Sequence, residues 1–192
     1  ILDCISSIGN IPLDLSRVYL ASGVSGKGFA SYSGLSMVFH NHEVTLNQRE
    51  IPRYLNLGLY ANAGIPFTLS SNLIYALNAA IDNYSSFPLF EIKQQNTFFV
   101  RNKLEELGFN IVSNMENSSV GVVTVKLPKG INSRYVGDSL RESGFETSYA
   151  SEYLLTKNWL QICTMGEVDI KVISNVIDML YSICTKSKSL II

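Results

Sequence analysis

The sequence predicts an α/β protein: a first part belonging to a sheet covered on both faces, then a small α+β unit. Three observations carry this. The apolar runs ILDCIS (Ile1–Ser6), RVYLAS (Arg17–Ser22) and LSMVFH (Leu35–His40) are nearly continuous rather than alternating, the pattern of strands buried on both faces. From Leu89 onward, helix-periodic and strand-like segments alternate. Between them SSFP (Ser85–Pro88) interrupts a helical pattern, which divides the chain into residues 1–86 and 87–192.

The first run begins at residue 1 with no polar lead-in, so the chain reads as a piece of something longer. The connection between the second and third runs is too short to hold a crossover helix, which points to an antiparallel pair. RYLNLGLYANAGIPFT (Arg53–Thr68) is rich in Gly, Asn and Tyr and reads as a loop. SSNLIYALNAAIDNY (Ser70–Tyr84) reads as a helix with Ser70 or Ser71 at its N-cap.

In the second part a long helix is expected over Leu89–Leu107, stopped by Gly108. Strands follow at Asn110–Ser113 and Gly121–Lys126, then a helix over Ser133–Ser143 ended by Gly144. WLQICT (Trp159–Thr164) reads as a strand. The last helix, Asp169–Cys184, carries apolar residues at helical spacing from Ile170 to Ile183.

Composition narrows the function classes. The 192 residues are 46% hydrophobic with a formal net charge of −1. That balance argues against nucleic acid or an anionic membrane as the main partner, since either favours a basic face. No apolar run is long enough to span a bilayer, and the first residues lack a basic leader region. Cys4, Cys163 and Cys184 show no metal-ligand spacing. They read as reduced core residues of a cytoplasmic protein. His40 and His42 share a strand face beside Glu43, but no third ligand is evident, and no metal is expected. Glu105 and Glu106 read as solvated residues at a helix end.

SGVSGKGFASYSG (Ser22–Gly34) isolates Lys27 among small residues. A solvated loop lysine is the ordinary reading. A phosphate-binding loop of the form G-x-x-x-x-G-K-[ST] fails at Ala21 and at Gly28, and the segment does not open a helix. A Schiff-base lysine is the third reading. It needs small neighbours so that a flat cofactor ring can approach, and a carboxylate for a protonated ring nitrogen. Asp3, a lone acid in an apolar run, fits that need.

LDCISSIGNIPLDLSRVYLASGVSGKGFASYSGLSMVF resembles the core of class V pyridoxal 5'-phosphate (PLP) aminotransferases of fold type I. The most similar group is the alanine–glyoxylate, serine–pyruvate and 2-aminoethylphosphonate–pyruvate enzymes. Asp3, Ser6, Ser7, Pro12, Asp14, Ser25, Lys27 and Gly34 carry the resemblance in order and spacing. GIPFTLSSNLIYALNAAI and NWLQICTMGEV continue it toward the C-terminus. It covers the whole chain, but as the second half of such an enzyme. Residues 1–86 correspond to the C-terminal part of the PLP-binding large domain and 87–192 to the small C-terminal domain.

The resemblance implies that Lys27 forms the Schiff base and shuttles the proton, and that Asp3 pairs with the pyridine nitrogen. It implies that Ser25 donates to the cofactor phosphate, and that Thr68 reaches a phosphate across a homodimer interface. The substrates it implies are a small amino donor, an amino acid or an aminophosphonate, and a 2-oxo acid.

Departures accompany the matches. Gln161 stands where the family usually has an Arg for the substrate carboxylate, and an amide cannot neutralise that charge. Either the substrate lacks the usual carboxylate, or Arg53 or Arg134 substitutes, or the protein has left aminotransferase chemistry. Ile65 stands where some relatives have Tyr. Tyr54 and Tyr60 lie in a region that approaches the neighbouring subunit's site in the family. The half bearing the Gly-rich phosphate loop and the ring-stacking aromatic is absent. Two alternatives therefore stay open: a non-catalytic remnant or dimerisation partner, and another class V reaction such as a lyase.

Overall fold

A computed structural model of the chain describes residues 1–46 and 51–189. The chain divides into two compact units, Ile1–Pro88 and a second beginning at Leu89.

In the first unit β1 (Leu2–Asp3), β2 (Leu20–Val24) and β3 (Ser36–His40) form one sheet in that order. β1 pairs parallel with β2, and β2 pairs antiparallel with β3, as the short connection requires. The first apolar run corrects its prediction: only Leu2 and Asp3 are strand, and both are exposed. β1 is an edge strand with one partner, so its apolar sequence does not secure burial here. β3 likewise alternates exposed and half-buried residues, and α2 (Ser71–Ser86) has no buried residue. The small core of the unit is Cys4, Ile8 and Ala21, with Leu13, Leu15, Val18, Phe29 and Phe39 against it.

Arg53–Thr68 is not the loop the composition suggested. A single 3-10 turn, Arg53–Leu55, leads into α1 (Leu57–Ala63). Asn56 caps α1 by accepting the Gly58 N–H. Tyr54, Tyr60 and Phe67 pack ring against ring, with centroids 5.3–6.3 Å apart. Tertiary aromatic contacts thus stabilise a seven-residue helix that its Gly and Asn content disfavours.

The second unit is built from α3 (Leu89–Glu106), β4 (Asn110–Ile111), β5 (Val122–Lys126), α4 (Ser133–Glu142), α5 (Glu152–Lys157), β6 (Trp159–Cys163) and α6 (Ile170–Ser189). Its strands form an antiparallel sheet in the order β4-β5-β6. Val123 and Val125 on β5 and Leu160 and Ile162 on β6 point to the helical side. There they meet Val100 and Leu104 of α3, Val136 and Leu140 of α4, and Ile173, Ile177 and Leu180 of α6. Each fully buried aliphatic chain contributes about 1.5–3 kcal/mol.

α3 ends as its sequence predicts. Gly108 takes φ +79°, and the Gly108 and Phe109 amides return to Glu105 and Leu104, the left-handed glycine stop. α5 was not anticipated. The Ser151 hydroxyl accepts the Leu154 N–H, and Asn158 closes the turn in the left-handed region. One turn leaves too short an apolar pattern to detect. Cys4 and Cys184 are buried as expected, but Cys163 is exposed at the end of β6. The strand's alternation there turns the side chain away from the core.

Candidate functional site

The parallel register of β1 and β2 sets Asp3, the last residue of β1, opposite Ser22 in the middle of β2. The Asp3 carboxylate accepts the Ile5 N–H at 3.0 Å, and the Ser22 hydroxyl lies 3.5 Å from the same oxygen. A turn then brings the Ser7 and Ile8 amides back to the Cys4 carbonyl. Buried Asn10 holds the turn by donating to the Ser6 carbonyl at 2.8 Å. This leaves the Ser6 hydroxyl projecting from the strand end. The exposed Lys27 amino group donates to it at 2.9 Å. Asp3 with Ser22 on the strands, and Ser6 with Lys27 in the loops that follow them, thus form two pairs on the carboxyl side of the parallel strands β1 and β2, the side where open α/β sheets bind ligands.

The loop that carries Lys27 is tightly made. The Ala30 N–H returns to the Lys27 carbonyl, and the Ser31 N–H to the Ser25 carbonyl. Ser25, expected to meet a cofactor phosphate, lies in the same loop. It is fully buried, its hydroxyl donates to the Tyr32 carbonyl at 2.7 Å, and it accepts the Leu35 N–H at 3.3 Å. Its proton is committed inside the loop. The bareness of the segment also has a packing cause. A Cβ at Gly26 would lie 2.1 Å from the Ser33 hydroxyl, and one at Gly28 would lie 2.0 Å from the Ile8 carbonyl oxygen. Glycine permits these approaches; any side chain would block them. An open cleft of about 350 Å³, lined in part by Val24, Gly26, Ser33 and Leu35, adjoins Lys27.

The other expected residues have these surroundings. Thr68 is exposed ahead of α2, with no hydrogen bond to the Lys27–Ser6 pair among the described residues. Ile65 is exposed. Gln161 belongs to the second unit. Its backbone exchanges hydrogen bonds with Ser148, and its amide donates to the Thr124 hydroxyl at 3.1 Å. Arg53 and Arg134 are exposed. His42 stacks on Tyr19 at 3.8 Å, and the His40 ring bonds to the His42 carbonyl. No cluster of three metal-ligating side chains occurs among the described residues.

The chain is similar to several solved structures. It matches alanine–glyoxylate aminotransferase from Nostoc sp. with a TM-score of 0.80 and 23% identity, over 94% of this chain and 52% of that one. It matches ureidoglycine–glyoxylate aminotransferase from Bacillus subtilis with a TM-score of 0.82 and 18% identity, over 97% and 53%. It matches pyridoxamine–pyruvate aminotransferase from Mesorhizobium loti with a TM-score of 0.80 and 16% identity, over 96% and 52%. The fold is that of the class V PLP aminotransferases. No protein-family model and no curated protein matches the sequence. The chain spans about half the length of the aminotransferases whose fold it shares. No described helix is long and apolar enough to cross a membrane.

Within this aminotransferase fold, the cluster at the strand ends is the part that suits the cofactor. An accessible primary amine at a strand end can take a covalent attachment, and an accessible carboxylate on the neighbouring strand can take a ring nitrogen's charge. The sequence showed Lys27 and Asp3 as isolated charges. It did not show Ser6 as the lysine's partner, because that contact spans 21 positions and rests on the β1–β2 register.

Proposed function

We propose that the chain is the second half of a PLP-dependent aminotransferase. The reaction moves an amino group between a small amino acid or aminophosphonate and a 2-oxo acid. The observation that carries this is the Lys27 amino group, exposed and held 2.9 Å from Ser6 in the turn that follows Asp3. When bound, the cofactor supplies an electron sink for negative charge at the substrate carbon.

Lys27 provides the covalent attachment point. It also acts as the base and acid that moves the proton at the reacting carbon. Ser6 orients the amino group, and Asp3 holds the counter-charge for the ring nitrogen. Ser25 closes the loop and donates to the cofactor phosphate when its hydroxyl turns from the Tyr32 carbonyl. Thr68 contributes to the phosphate site of a second subunit in a homodimer, and Gln161 contacts the substrate by hydrogen bonding without neutralising it. Residues 1–86 contribute to the large domain and residues 87–192 form the small one, and the protein works in the cytoplasm.

The test is an absorbance spectrum of the chain with PLP, before and after borohydride, followed by peptide mapping. A visible band and a reduced adduct on Lys27 support the proposal. Full labelling elsewhere with Lys27 unmodified overturns it.

A further inference from the structure

We infer that Tyr84 is a positioning residue for Lys27, an inference that rests on Lys27 being the attachment point. Tyr84 stands in the last turns of α2. Its hydroxyl lies 2.5 Å from the Gly9 carbonyl oxygen and 2.6 Å from that of Gly28. One proton serves two acceptors, and both distances are below the usual O–H···O separation of about 2.7–2.8 Å. The two carbonyls belong to the two loops that make the site. Gly9 closes the turn that presents Ser6, and Gly28 directly follows Lys27.

These loops touch backbone to backbone. A Cβ at Gly9 would lie 2.7 Å from the Gly28 carbonyl carbon. Two carbonyl oxygens turned toward the same point repel one another, and a donor placed between them offsets that repulsion. Phe29 packs edge-on against the Tyr84 ring at 5.7 Å, a contact of the ring and not of the hydroxyl. The reach of the Lys27 amino group to Ser6, and hence toward Asp3, depends on how the two loops are spaced. Tyr84 sets that spacing through the backbone without touching the amine.

The test uses the full chain and the variants Tyr84→Phe, Tyr84→His and Phe29→Leu. In cofactor-free protein, the rate of Lys27 acylation by acetic anhydride is measured by peptide mapping against exposed Lys129 as reference. Tyr84→Phe is expected to change the Lys27/Lys129 ratio by roughly threefold to tenfold, the scale of one lost hydrogen bond. Tyr84→His, which restores a ring N–H donor, is expected to recover part of it. Phe29→Leu is expected to lower the melting temperature and leave the ratio near the wild-type value. With PLP added, Tyr84→Phe is also expected to shift the wavelength of the Lys27-linked band.

An unchanged ratio in Tyr84→Phe overturns the inference, as does a Phe29→Leu ratio that moves equally. If Tyr84→Phe does not fold, Tyr84→His against wild type decides on the same ratio. If wild-type Lys27 takes no PLP adduct, the proposed function falls, while the cofactor-free ratio still decides whether Tyr84 places the amine.

Discussion

Lys27 and Ser6 are joined by a 2.9 Å hydrogen bond between the loops that follow the paired strands β1 and β2, 21 positions apart in the chain. Nothing else in the described structure bonds to the Lys27 side chain. The lysine is therefore oriented but accessible, which suits a group that must react with an incoming carbonyl carbon.

Lys27→Ala is expected to abolish the visible PLP band and the borohydride adduct. Because the side chain is exposed, unfolding stability should stay within about 0.5 kcal/mol of wild type. Parallel absorbance and urea-unfolding measurements check this. A retained adduct at another lysine would move the attachment point.

Asp3→Asn keeps the size of the side chain and its acceptor toward the Ile5 N–H, but removes the counter-charge. The expected result is that Lys27 still forms its adduct, while PLP affinity falls by about tenfold or more. Equilibrium titration by fluorescence reads it. Unchanged affinity would separate Asp3 from the ring nitrogen.

Gly28→Ala places a methyl group 2.0 Å from the Ile8 carbonyl oxygen, a backbone atom that cannot swing aside. A loss of about 1–3 kcal/mol is expected, with loss of the Lys27 adduct. Gly144→Ala is the control. Its Cβ would meet nothing within 4 Å, and its φ of +88° costs only the left-handed penalty of about 1–2 kcal/mol. Thermal melts of both variants decide whether overlap or backbone angle governs.

Lys93 is buried in α3, and burial lowers its pKa to about 8, partly opposed by the Glu167 charge. Between about pH 8 and lysine's ordinary value of 10.5, the folded chain binds fewer protons at this site than the unfolded chain. Burial therefore costs stability below that window, and the cost fades as pH rises through it. Comparing Lys93→Met with wild type by denaturant unfolding from pH 7 to 10.5 should show the variant losing ground steadily above pH 8. A constant difference would mean that Lys93 does not titrate there.

Leu160→Ala opens a cavity at a β6 residue with no exposed surface, packed in the core of the second unit. A loss of 2–5 kcal/mol is expected. Fluorescence of neighbouring Trp159 should follow the transition.

Long, strongly patterned elements were legible in the sequence. α3, α4 and α6 and the strands β5 and β6 emerged with boundaries shifted by a few residues, because each carries an apolar stripe or an alternation that matches its burial. The short elements were not. α1 depends on a ring cluster and an Asn cap, and α5 on a serine cap and a left-handed Asn. The exposure of β1 was missed because apolar sequence reports what a strand can bury, not what lies against it.

The site divides the same way. Lys27 and Asp3 stand out in the sequence as isolated charges in apolar or stripped surroundings, and that made them candidates, although both are exposed in the folded chain. The sequence also determined the antiparallel return from β2 to β3, because so short a connection admits no crossover. Only the tertiary structure decided the partners. It turned Ser25 inward, set Ser6 beneath the lysine, and brought Tyr84 to two carbonyls 56 and 75 positions away. Those contacts depend on strand register and on two glycine backbones meeting, and distance along a chain holds no record of either.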